Sequence, residues 1–202
     1  MGSETEPGEW RPTLGEDMAA RLYGRPVVRR YDHHVGQRGF EERQLALGTR
    51  QAEVVLALRR PAGGYLLHTK WFYPEGVYRL LSGGIKPDEP LLEALERELC
   101  EETGLGGRVE RYLAVQRHIF HLTVAEVPFT THILLVAGAA GEPAPLDARE
   151  GITQFREVPL CGLNEVAEKL ETLPPDWLDW GRYRATAHRL IVELLGAEER
   201  SQ

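Results

Sequence analysis

RELCEETG, residues 97–104, places one arginine and three glutamates within six positions, and its reading decides the rest of the chain. It closes a segment, 89–103, in which Leu92, Leu95 and Leu99 recur at helical spacing. Asp88 stands where it would cap such a helix, Pro90 suits its first turn and Gly104 its end. At helical pitch the leucines form a stripe that can pack on a sheet. Glu98, Glu101 and Glu102 fall on the neighbouring face, with Arg97 on its flank. Carboxylates one turn apart repel and weaken a helix. Arg97 can pair with Glu93 or Glu101, but it cannot neutralise three charges. A solvated acidic face is the plain structural reading. Gly83 and Gly84, just upstream, favour a functional one, because glycine lets backbone carbonyls approach a ligand closely. A hard divalent cation wants such oxygens, and it would remove the repulsion among the glutamates.

Outward from this helix, β-rich runs at 52–59 and 65–70 flank the turn at Pro61–Gly64, and 78–82 reads as a strand stopped by Gly83-Gly84. Further strands are expected at 108–123, 131–138 and 153–158, with a turn at Glu126-Val-Pro128. Helices are expected at 15–23, 163–172 and 181–195; in the last, Tyr183, Ala187, Leu190, Ile191 and Leu194 recur at helical spacing. Interleaved strands and helices, with several strand pairs joined by short turns, predict an α/β fold: a mixed sheet with helices on both faces. Residues 1–50, polar at the start and with Arg29-Arg30 as a basic pair, read as an N-terminal extension leaning on a main domain of 51–202.

The bulk numbers narrow the function. The 202 residues carry a net charge of −7, so no broad nucleic-acid footprint is expected. Two cysteines, Cys100 and Cys161, without CxxC spacing argue against a disulfide framework or structural zinc. The longest apolar stretch, 133–140, is too short to cross a bilayer, and the first residues lack the pattern of a secretory signal. A cytoplasmic setting with no membrane partner is the expectation.

GGIKPDEPLLEALERELCEETGL, residues 83–105, resembles the Nudix box, Gx5Ex7REUxEExGU with U a bulky aliphatic residue. Gly83, Glu89, Arg97-Glu98-Leu99, Glu101-Glu102 and Gly104-Leu105 fill every position, a far more specific match than a lone glycine motif. The resemblance implies an α/β/α sandwich and hydrolysis of a nucleoside diphosphate linked to another moiety, with Mg²⁺ or Mn²⁺. By position, Glu98, Glu101 and Glu102 would be metal ligands with a Gly83 or Ser82 carbonyl. Glu98 or a neighbour would help deprotonate the attacking water, Arg97 would orient Glu98, and Glu89 would hold the loop. Ser82 departs from the proline common at that place. Members often add an acidic residue from a late loop, and Glu150 is the candidate. Neither the proline nor the tyrosine that marks certain substrate subfamilies occurs in VQRHIFHLT after the box. A nucleotide-binding module with little turnover is the alternative; such modules typically lose box glutamates, and none is lost here.

Outside the box, Trp71 in the Trp71-Phe72-Tyr73 loop could stack a nucleobase, and Arg79 and Lys86 could contact phosphates. His118 and His121, three apart in a strand, face opposite ways and make a poor shared metal site. His33-His34 reads as structural or exposed. Trp177 and Trp180 read as anchors of the last helix, with a homodimer contact as the lesser alternative.

Overall fold

The computed structural model describes residues 12–36, 40, 51–138 and 140–199. Its centre is a seven-stranded mixed sheet, β1 (Val27–His34), β2 (Ala52–Arg59), β3 (Tyr65–Lys70), β4 (Arg79–Gly84), β5 (Gly107–His121), β6 (Glu126–Gly138) and β7 (Ile152–Val158), in the order β1-β5-β6-β2-β4-β3-β7. β1 runs parallel to β5 and β2 parallel to β6, while the other neighbours are antiparallel.

The period-2 alternation of a strand explains the layers. Along β2, Val54, Leu56 and Leu58 enter one apolar core, and Val55 and Ala57 enter the other. The first core is covered by α1 (Glu16–Tyr23) and α2 (Leu91–Thr103), through Ala19, Leu91, Ala94, Leu95 and Leu99. The second is covered by α3 (Gly162–Glu171) and α4 (Pro175–Glu199), through Leu163, Leu170, Tyr183, Leu190 and Ile191. The result is the expected α/β/α sandwich. Burying each of Leu91, Leu95 and Leu99 of α2 stabilises the fold by about 1.5–3 kcal/mol, while Leu92 is only partly buried. Trp180 packs on Tyr73 at 4.9 Å between ring centroids and on Trp177 at 5.3 Å, so both tryptophans anchor α4. At Gly181 a Cβ would lie 2.1 Å from the Leu170 carbonyl oxygen, so only glycine lets α4 lie this close to α3. No helix among the described residues is long and apolar enough to cross a membrane.

Four local expectations are corrected. Asp88 does not cap α2: it has φ 60°, and Pro90 occupies the N-cap without a side-chain bond. The Leu91 N–H, which a cap would serve, donates instead to the Leu14 carbonyl at 2.8 Å, a partner far away in sequence. Strand β4 does not stop before Gly83-Gly84, because both glycines pair with Val54 and Glu53 of β2. Residues 126–128 are strand and not turn: they pair with 119–121, and the chain reverses at 122–125, where Leu122 N–H bonds the Ala125 carbonyl. Finally, residues 27–34, which lack a clean alternation, form the edge strand β1.

Candidate active site

The loop between β4 and α2 folds the end of the strand against the acidic face of the helix. Gly83 lies so close to Glu98 that a Cβ on it would sit 1.7 Å from the carboxyl carbon. Arg97 ties the parts together. Its Nε and Nη2 donate to the two oxygens of Glu89 at 2.6 and 2.8 Å, and Nη2 also donates to the Gly84 carbonyl at 2.9 Å. Its Nη1 donates to Glu98 at 2.6 Å and Glu101 at 3.0 Å. Glu89 in turn accepts the Lys86 N–H at 2.9 Å, so one guanidinium and one carboxylate lock the loop onto the helix. Gly104 ends the helix with φ 65°, a left-handed conformation that glycine adopts without steric cost, and its N–H bonds the Cys100 carbonyl.

One turn beyond Glu98, Glu102 is fully buried. One of its oxygens accepts the Ser82 N–H at 3.1 Å, and the other has no hydrogen-bond partner. The nearest basic atoms to that second oxygen are His68 Nδ1 at 3.6 Å and Lys70 Nζ at 3.8 Å. Burial pushes the Glu102 carboxyl up to about 8, against the pull of Arg79 and Lys70. Burial also raises Glu98, against the pull of Arg97, and holds His68 well below the usual imidazole range. Two carboxyls reluctant to ionise side by side are a place for a cation to bind. Ser82 has a consequence of its own: its amide reaches Glu102, which a proline at this position could not do.

These residues open on a cleft of about 580 Å³. Gly83, Gly84, Arg79, Lys86, Arg97, Glu98, Glu101 and Glu150 line it, and Glu102 lies beneath them. Trp71 is not in the lining. It stands 74% exposed beside Gly151, its backbone N–H donating to the Gly151 carbonyl at 2.9 Å, next to Glu150. His118 and His121 part company: His118 meets His33 in the core, at 2.9 Å between ring nitrogens, and His121 bonds Asp32 and Glu126 near the surface.

The sequence pattern of the NUDIX domain matches residues 48–181. The chain belongs to the NUDIX family. It is accordingly a hydrolase acting on phosphorus-containing anhydrides. Comparison with curated proteins returns no match. Among solved structures, the chain is similar to a MutT NUDIX hydrolase from Burkholderia pseudomallei, at 21% identity over 72% of this chain and 97% of that one, with a TM-score of 0.45. It is also similar to the ORF135 protein of E. coli, at 19% identity over 77% and 96% of the two chains, with a TM-score of 0.49. A third is an ADP-ribose pyrophosphatase from Streptococcus suis, at 18% identity over 72% and 91%, with a TM-score of 0.43.

Nudix hydrolases generally use divalent metals. Among the described residues, no three acidic, histidine or cysteine side chains are already grouped as a cage for an ion, Glu98, Glu101, Glu102 and Glu150 included, although Gly83 and Glu98 do meet. The reason is electrostatic. Arg97 draws Glu98 and Glu101 to its own Nη1, and Lys70 holds Glu150 at 2.7 Å. The residues nevertheless fit a hard cation: the donors are all oxygens, Glu98 is cradled under Gly83, and one buried Glu102 oxygen has no partner.

Sequence reasoning missed Lys70, Glu53, Phe129, Asp147, Arg149, Tyr183 and Arg184, which also line the cleft. They belong to no motif. The helix bearing Tyr183 and Arg184 was legible only as an apolar stripe, and nothing in that stripe says which polar neighbour faces a ligand.

Proposed function

We propose that this Nudix hydrolase cleaves the pyrophosphate bond of a nucleoside diphosphate linked to a second moiety, with Mg²⁺ or Mn²⁺ as its ion. The observation that carries this reading is the buried carboxylate pair Glu98 and Glu102, held against backbone by Arg97 and by the Ser82 amide. A bound divalent ion would neutralise the phosphates and lower the pKa of a water at the site. Glu98, Glu102 and the Gly83 carbonyl would hold it, with Glu101 and Glu150 available once Arg97 and Lys70 release them. Arg97 orients Glu98, and Glu98 accepts the proton of the attacking water. Lys86, exposed at the rim, and Arg79, inside the cleft, meet the phosphates, while Trp71 offers an exposed face to a base. The retention of every box carboxylate supports turnover over binding alone.

The test is hydrolysis of a nucleotide library with Mg²⁺ and with Mn²⁺, identifying both products. Two phosphomonoesters from a disubstituted pyrophosphate support the proposal. Cleavage of a phosphomonoester with release of free phosphate, and of no pyrophosphate, refutes it.

A further inference from the structure

Glu102 is anchored through one oxygen only. That oxygen accepts the Ser82 N–H of β4 at 3.1 Å, while its Oε1 is buried without a hydrogen-bond partner. A carboxylate held at one oxygen can still turn about that bond. The basic group nearest to the free oxygen comes from the neighbouring strand: His68 of β3, whose Nδ1 lies 3.6 Å from Oε1. His68 is itself fully buried, and neither of its ring nitrogens has a hydrogen-bond partner. A leucine would fill the same place without two buried polar atoms, so volume alone does not account for a histidine here.

Burial, with the charges of Arg79, Lys70 and Arg184 around it, keeps the ring neutral. A neutral imidazole carries one N–H. On Nε2 that hydrogen would be a buried donor with no partner, whereas on Nδ1 it faces Oε1 of Glu102. The surroundings therefore favour the Nδ1–H tautomer. Closing the gap to a hydrogen bond takes a shift of roughly half an ångström. Lys70 stands almost as near to the same oxygen, at 3.8 Å, but its ammonium bonds Glu150 at 2.7 Å and carries a charge that would compete with a cation. A neutral donor orients the carboxylate without that competition.

We infer that His68 is a positioning residue of the ion site: its ring donates Nδ1–H to Glu102 and fixes the carboxylate for a divalent ion. Ser82 and His68, from adjacent strands, then hold Glu102 by one oxygen each. The inference rests on the ion reading given above and adds to it a residue outside the 83–105 motif. Hydrogen bonds to a ligating carboxylate matter in this way generally, and losing such a partner weakens ion binding by about 10–100-fold.

The test compares wild type, His68→Leu and His68→Asn, and reads thermal unfolding in EDTA and the affinity for Mn²⁺ with no nucleotide present. His68→Leu should melt at or above wild type in EDTA, because it removes two unpartnered polar atoms, yet bind Mn²⁺ about tenfold more weakly or worse. His68→Asn keeps an amide donor near the place of Nδ1 and should restore most of that affinity. A leucine variant with wild-type Mn²⁺ affinity makes His68 a core residue only and overturns the inference, whatever its melting temperature. Where His68→Leu melts early, nitrogen NMR of the wild-type ring in saturating Mg²⁺ decides: a neutral ring protonated on Nδ1 supports the inference, and one protonated on Nε2 overturns it. Failure of wild type to bind Mn²⁺ is a separate outcome, which overturns the proposed ion site and this inference with it.

Discussion

The Glu98 carboxyl occupies the space where a side chain on Gly83 would begin: a Cβ there would lie 2.0 Å from each of its oxygens. The need for glycine is one of space and not of backbone angle, since Gly83 is not among the residues with positive φ. Gly83→Ala should therefore displace Glu98 or push β4 away from α2. Overpacking of this kind costs about 1–3 kcal/mol, and turnover should fall far more than stability does. Parallel thermal melts and hydrolysis rates check it; an alanine variant with wild-type turnover would show that the contact is dispensable.

Glu98→Gln removes a charge and keeps the shape. Its amide oxygen can still accept from Arg97 Nη1, and it relieves repulsion with Glu101 and Glu102. The expected outcome is a melting temperature equal to or slightly above that of wild type in EDTA, with turnover down by roughly 100-fold or more. Early unfolding would make Glu98 structural instead.

Divalent ions should be required for turnover and should stabilise the fold. Glu102 is buried with one unpartnered oxygen, so an ion that reaches it binds the folded chain and not the unfolded one. Melting temperature should rise with Mg²⁺ or Mn²⁺ concentration, and this response should be lost in Glu102→Gln. Full activity in excess EDTA, with metal-free protein confirmed, would sink the mechanism.

His188 is neutral in the fold. Its Nε2 accepts the Leu80 N–H at 3.1 Å, its Nδ1 bonds the Arg184 carbonyl at 2.9 Å, and burial lowers it to about 4. Burial likewise lowers His132 to about 3 and His33 to about 4, and holds His118 well below its usual range. The unfolded chain takes up these protons near pH 6.5 and the folded chain refuses them, so the stability they contribute is present above that pH and lost as pH falls toward 4. Glu98 and Glu102, raised by burial, run the other way, but the histidines outnumber them. Urea midpoints between pH 4.5 and 7 should fall on acidification, and NMR should find His188 Nε2 unprotonated at pH 5. A midpoint flat across that range would contradict the burial of these rings.

Trp71→Ala should raise KM well above any fall in kcat if its exposed ring stacks a base. Unchanged kinetics would leave that loop a packing element, its ring resting on Phe72 and Gly151.

What the sequence by itself determined is local. The spacing of Leu95 and Leu99 against Glu98, Glu101 and Glu102 named the helix, its buried face and the acids on it, because residues within one or two turns are neighbours in any helix. The run 52–59 was legible as buried strand because both its faces are apolar. Tertiary structure alone decided which partners complete the site. Arg97 reaching Gly84 and Glu89, Ser82 serving Glu102, and Arg184 meeting Glu53 join residues 8 to 131 positions apart, and no period in the chain records such distances. The same holds for the missed cap: Leu14 satisfies the helix that Asp88 was expected to cap, because the backbone donor takes whichever acceptor the fold brings to it. Spacing could say that three carboxylates repel; only packing could set Arg97, Lys70 and the Ser82 amide against them.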